Sequence, residues 1–212
     1  MSDNSQVRGP EHFTSAKTTG AIPVRHPAIR DVLIQCSLNP AIRFIDYVES
    51  AVVGADEVDL DAIVVRGEGG SVLLDVIPAR PLRDLEEEGL ALIALGELNL
   101  PTQRLTSEDL MREPRYSNSK LVWLYNRHHV PLDLRMQILT VLAGHPSMHL
   151  RKLLEEIQET RSRGSRAVMA LACADVIELD LETQPLGPTT TVKSRGVLPV
   201  RVEPLIPFPR KI

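Results

Sequence analysis

Glu57-Val58-Asp59-Leu60-Asp61-Ala62-Ile63-Val64-Val65-Arg66, then Gly67-Glu68-Gly69-Gly70, then Ser71-Val72-Leu73-Leu74-Asp75-Val76-Ile77, is the stretch on which the fold turns. Two runs rich in β-branched and aliphatic residues flank a glycine-rich turn, which is the pattern of a β-hairpin. Pairing Leu60 with Val76, Ala62 with Leu74 and Val64 with Val72 collects the apolar side chains on one face. The same register sets Asp61 directly across from Asp75 on the other face. A slip of one residue would send the two acids to opposite faces, because side chains alternate along a strand.

Outward from the hairpin the chain alternates helix and strand. Residues 27–36 place Ile29, Val32, Leu33 and Cys36 at helical spacing behind Pro27. Residues 41–53 are β-branched and predict one or two strands. Pro78 and Pro81 end the second hairpin strand, 82–95 predict a helix with an acidic face, and 103–105 a short strand. Thr106, with Asp109 three residues on, predicts a capped helix. Residues 117–129 predict another helix with Leu121, Leu124 and Tyr125 inward, and Met136, Trp123 and the leucine stripe are expected in the core. Beyond Pro131 the pattern becomes three short helices (132–143, 147–158 behind a Ser147 cap, and 164–174), then two short strands at 176–181 and 190–192. That order is the layout of winged helix-turn-helix modules. Residues 1–26 are expected to form a flexible arm, and the proline-rich 196–212 an extended tail.

Composition limits the functional classes. The 212 residues are 43% hydrophobic and 3% aromatic, so an aliphatic core is expected. Cys36 and Cys173 lie far apart in apolar contexts and read as buried thiols rather than a disulfide framework. The N-terminus lacks an apolar signal region, and no run approaches ~18 apolar residues, so a reducing cytoplasm and no membrane contact are expected. Residues 1–111 carry 9 Lys and Arg against 18 Asp and Glu, whereas 112–212 carry 15 against 10. A basic C-terminal half points weakly to a polyanionic partner.

Two carboxylates on adjacent strands suit a hard divalent ion such as Mg²⁺, which takes oxygen ligands and activates water for phosphodiester hydrolysis. Leu60-Asp61-Ala62-Ile63 and Leu74-Asp75-Val76-Ile77, with the run from Glu108 to Tyr125, resemble the restriction-endonuclease-like fold and its PD-(D/E)xK motif. Over residues ~27–130 the chain looks like the TnsA-type endonuclease subunit of heteromeric transposases. The resemblance implies an α/β fold, a mixed sheet flanked by helices over 27–130, with a small winged-helix-like domain over 131–195. It also implies Asp61 and Asp75 as Mg²⁺ ligands. The motif is incomplete. No proline precedes Asp61, and Ile77 stands where the family has its lysine. In place of the first helix's glutamate there is only Asp31 nearby. An isoleucine cannot stabilise developing negative charge. Arg80 is the nearest cation and is the candidate to assist catalysis.

The cations Arg161, Arg163 and Arg166 surround the start of the third C-terminal helix, the position that meets phosphates or guanine in a helix-turn-helix module. The helix continues as Ala-Val-Met-Ala-Leu-Ala-Cys-Ala, which suits a docking element better than a reading helix. His128-His129 and the His145/His149 pair lack a third ligand for a zinc site. Three readings follow. The chain is a DNA-associated nuclease-fold protein that is catalytically impaired, a Mg²⁺-dependent endonuclease with a relocated cation, or a protein-interaction scaffold with a protein partner or a second copy and no nucleic-acid role.

Overall fold

A computed structural model describes residues 11–157 and 159–195. In chain order these form β1 (Glu11–Phe13), β2 (Ile22–Val24), α1 (Pro27–Leu38), β3 (Ile42–Val53), β4 (Asp56–Gly67), β5 (Gly70–Val76), α2 (Leu85–Glu97), β6 (Thr102–Leu105), α3 (Ser107–Leu110), α4 (Arg115–Trp123) and α5 (Leu132–Gly144). There follow β7 (Ser147–His149), α6 (Leu150–Glu156), α7 (Arg161–Cys173), β8 (Ile177–Leu179) and β9 (Thr191–Ser194). The fold is mixed α/β. Its main sheet has the order β3-β4-β5-β6, antiparallel until β6, which runs parallel to β5 after the α2 crossover. A right-sized crossover is required there, because parallel neighbours cannot be joined by a tight turn. A second sheet, β7-β9-β8, is antiparallel and closes the C-terminal half.

The hairpin forms, but one residue out of the expected register. Gly67 pairs with Gly70, Val65 with Val72 and Ile63 with Leu74, leaving Glu68-Gly69 as a two-residue loop. The positive φ falls not on the loop residues but on Gly70 (106°), just past them, the place of the left-handed glycine that follows a type I turn in a hairpin. The expected single apolar face is replaced by two. Ile63, Val65, Leu74 and Val76 join the larger core with Val32 and Leu33 of α1. Leu60, Ala62, Val64 and Leu73 join a smaller one with Ala91 and Ala94 of α2. A sheet covered by helices on both faces buries both sets of alternating residues, so the sequence alternation alone cannot choose the register.

Several local expectations hold. Thr106 caps α3 reciprocally with Asp109 as expected, and the structure adds a second reciprocal cap, Asp84 with Glu87 at the start of α2. Both cysteines are buried and unbridged, and burial pushes each thiol up to about 12. Others are corrected. Leu121 and Leu124 are exposed, because α4 ends at Trp123 and turns Asn118, Ser119, Val122 and Trp123 inward. Met136 is exposed on α5, whose inner face is Leu134, Ile138 and Leu142. Ser147 begins β7 and does not cap α6, whose N-cap is His149.

The arm expected to be loose as far as residue 26 is ordered from Glu11. Phe13 stacks on Trp123 with ring centroids 5.1 Å apart, and Ile22 is buried. The Ile45 amide donates to the Lys17 carbonyl (2.8 Å) and the Thr19 amide to the Ile45 carbonyl (3.1 Å), so the arm covers the open edge of β3. The expected extended tail at 196–212 lies outside the described residues.

A single hydrophobic cluster runs across the boundary expected at residue 130, from Phe13 and Leu33 through Val122 to Ile138, Val168 and Val192. Helix α7 makes this continuity, packing against α1, α4, α5, α6 and β8. At about 2 kcal/mol per fully buried aliphatic side chain, this shared core outweighs any surface contact between the halves. Asn118 adds a polar link: its side-chain amide donates to the carbonyls of Leu181 (2.9 Å) and Gln184 (2.8 Å) and accepts from the Leu186 amide (2.8 Å).

Lys17 is nearly inaccessible, its Nζ 2.6 Å from the Asn39 carbonyl and 3.3 Å from Asp175, which also pairs with Arg195. Burial, offset by Asp175 and reinforced by Arg195, lowers its pKa from 10.5 to about 8. Between those two values the unfolded chain holds a proton that the folded chain has released, so stability rises with pH through that window. Urea denaturation from pH 7.5 to 10.5 should show this rise in the wild type and lose it in Lys17→Met. An equal rise in both would exclude Lys17 as its source.

Candidate functional site

Asp61 and Asp75 reach one hollow by different routes. Continuing the β4–β5 register places Asp75 across from Ala62, not Asp61. Asp61 is re-aimed by a bulge: Val48 pairs with Ala62 and Ser50 with Asp59, so Leu60 and Asp61 together face Glu49. Asp61 takes φ 49°, a left-handed backbone that short polar side chains tolerate. Bulges redirect a side chain at the edge of a site. Both aspartates line a cavity of about 850 Å³ between the ends of β4, β5 and β6 and the flank of α2, together with Arg80, Arg83, Glu88 and Arg104.

Each carboxylate already has cationic company. The Tyr47 hydroxyl donates to Asp61 Oδ1, and Arg25 binds Asp61 Oδ2. Burial and that acceptor hold the Tyr47 phenol well above its ordinary range, so it stays a donor. Arg80 grips Asp75 with both ends of its fork, Nε 2.7 Å from Oδ1 and Nη2 on Oδ2. Arg104, paired with Asp75 across the parallel β5–β6 ladder, brings its Nε to 3.6 Å. The Arg80 hydrogen bonds, with the charge of Arg104 behind them, hold the Asp75 carboxyl below the usual carboxylate range. Arg83 is tucked under the bulge and donates to the carbonyls of Asp59 (2.8 Å) and Leu60 (3.1 Å).

This donor set does not fit a Mg²⁺ ion. Both oxygens of Asp61 and both of Asp75 are engaged by guanidinium or phenol donors, whereas the ion needs lone pairs facing it. Among the described residues no group of three or more His, Cys, Asp or Glu is placed to hold a metal. Asp31, the acid of the first helix, pairs with Lys120 (3.4 Å) and does not line the cavity. Ile77 follows β5 in a 3-10 turn and is 40% exposed.

No protein-family model and no curated protein matches the chain.

The chemistry of the hollow therefore rests on its own geometry. The structure places Asp61, Asp75 and Arg80 around one hollow and adds Tyr47, Arg25 and Arg104 to them. Tyr47 and Arg25 were hidden because each pairs with Asp61 only through the bulge. Arg104 was hidden in the short Gln-Arg-Leu strand, and the parallel ladder after the crossover is what aligns it with Asp75. A fork-shaped guanidinium holding a carboxylate keeps further N–H donors for a second anion.

The other predicted set lies elsewhere. Arg163 and Arg166 are exposed in the first turns of α7, and Arg163 pairs with Glu159 (3.1 Å). The side chain of Arg161 lies outside the described residues. From Ala167 to Cys173 every residue of α7 is buried. The helix therefore cannot lie along a DNA groove, and only its N-terminal end is available. The reason is its composition: alanine, valine and methionine on all sides suit a helix enclosed by others. Among the described residues no helix is long and apolar enough to cross a membrane.

Proposed function

We propose that this chain is a DNA-associated subunit of restriction-endonuclease-like fold that holds DNA without cutting it. The observation that carries the reading is the pair Asp61 and Asp75 lining one hollow, with Ile77 in the place of the lysine and arginines on both acids. The order α1, three antiparallel strands, the α2 crossover and the parallel β6 supports the nuclease-like core. The C-terminal order α5, β7, α6, α7, β8, β9, with β9 central in its sheet, supports a winged-helix-like unit fused to it. Arg163 and Arg166, exposed at the start of α7, are suited to meeting backbone phosphates.

Duplex DNA affinity measured by fluorescence anisotropy should fall steeply between about 50 and 200 mM salt, as counterion release demands. Supercoiled plasmid incubated with Mg²⁺ should stay uncut by the wild type and by Asp61→Asn alike. Wild-type nicking that disappears in Asp61→Asn would make the chain an active Mg²⁺-dependent endonuclease. Absence of any salt-sensitive affinity would leave the protein-interaction scaffold.

A further inference from the structure

We infer that Arg80 and Arg104, with Arg25 neutralising Asp61 from outside the lining, occupy the role a divalent cation has in a cutting nuclease, and that the hollow binds a phosphodiester group without metal. The inference rests on the reading that the chain meets DNA, and it assigns the hollow, rather than the α7 end alone, as a contact.

Charge balance is the first argument. Two bare aspartates at the floor of a cavity would repel a phosphate and demand a metal. Here the lining holds Asp61, Asp75 and Glu88 against Arg80, Arg83 and Arg104, and Arg25 on Asp61 adds a further cation. The field of the hollow is therefore balanced or slightly positive.

Donor availability is the second. A guanidinium carries five N–H groups. Arg80 spends Nε and Nη2 on Asp75 and keeps the rest. Arg104 touches Asp75 only at 3.6 Å, with its side chain 75% exposed. Arg80 is about half exposed. The aspartates thus act as anchors that orient the arginines, which is how a fixed fork is made ready for a second oxyanion. Arg83 is excluded from this role, because its side chain is 14% exposed and is committed to the Asp59 and Leu60 carbonyls and to Glu88. The third argument is size. About 850 Å³ lies within the range of cavities that admit nucleotide-sized groups.

The test uses the full chain and a fluorescein-labelled duplex oligonucleotide. Affinity should be the same within about twofold in EDTA and in millimolar Mg²⁺. Arg104→Ala and Arg80→Ala should each weaken binding about 5- to 10-fold and lower the salt slope by about one. Arg104 is exposed, so Arg104→Ala should melt as the wild type does, and Arg104→Lys should recover part of the affinity by charge alone. Affinity that collapses in EDTA would overturn the inference in favour of a metal site. Wild-type affinity in both alanine variants, with binding lost in Arg163→Ala/Arg166→Ala, would overturn it while leaving DNA association standing. No DNA binding by the wild type would remove the parent reading, and a carboxylate-bearing protein would then be the occupant left for the arginines.

Discussion

Gly67→Ala is expected to be recovered unfolded or aggregated. A Cβ at Gly67 would stand 2.1 Å from the carbonyl oxygen of Ala41 and 3.3 Å from its carbon. Both are backbone atoms, so no rotamer change relieves the overlap. The position sits where β3 enters the sheet, Ile42 facing Gly67 beside an irregularity before Phe44. Relief requires prying β3 away from β4, at a cost above about 4 kcal/mol, which rivals the whole stability of a typical domain. Gly69→Ala is the control, with nothing within 4 Å of its added carbon. Circular dichroism and urea denaturation of the two variants decide the matter. A Gly67→Ala chain with a near-wild-type midpoint would show that the close approach of β3 and β4 is not obligatory.

Val168→Asp should destroy both halves of the protein at once. Val168 is fully buried in α7, within the cluster that joins the sheet to the C-terminal helices. An unpaired carboxylate there costs several kcal/mol by desolvation. Because the core is shared, the wild type should melt in one cooperative transition, and Val168→Asp should show no residual transition from either half. The milder Val168→Ala should lower stability by about 2 kcal/mol without splitting the transition. Two wild-type transitions, one of them untouched by the aspartate, would mean that the halves fold independently.

The sheet that Gly67 holds together also aims the candidate site. Asp61 is aimed by the bulge between β3 and β4, and Asp75 by the β4–β5–β6 ladder. A change that loosens β3 should therefore release Arg25 and Tyr47 from Asp61 before it disturbs Arg80 on Asp75. The two acids are thus aimed by the sheet register, whereas Arg25 and Arg80 reach them from the connections that follow β2 and β5.

Much of the architecture is written in short stretches of chain. The caps Asp84 with Glu87 and Thr106 with Asp109 close within one helical turn, and the Gly67–Gly70 hairpin closes between neighbouring strands. The buried state of Cys36 and Cys173 follows from their apolar neighbours, and the pairing of β8 with β9 from two short β-branched runs. Each is a local preference that a nearby side chain or turn can satisfy. The rest depends on residues far apart in the chain. The hairpin slips by one because helices cover both faces of the sheet, so either alternation can be buried and the two-residue loop chooses. Asp61 returns to the hollow because a bulge offsets that slip. Arg104 meets Asp75 only after the α2 crossover sets β6 parallel to β5, and Lys17 is buried only because α1, β3 and the α7–β8 turn converge on it. Side-chain periodicity encodes which residues seek burial; which partner they meet there is settled by packing between segments that no short window of sequence contains.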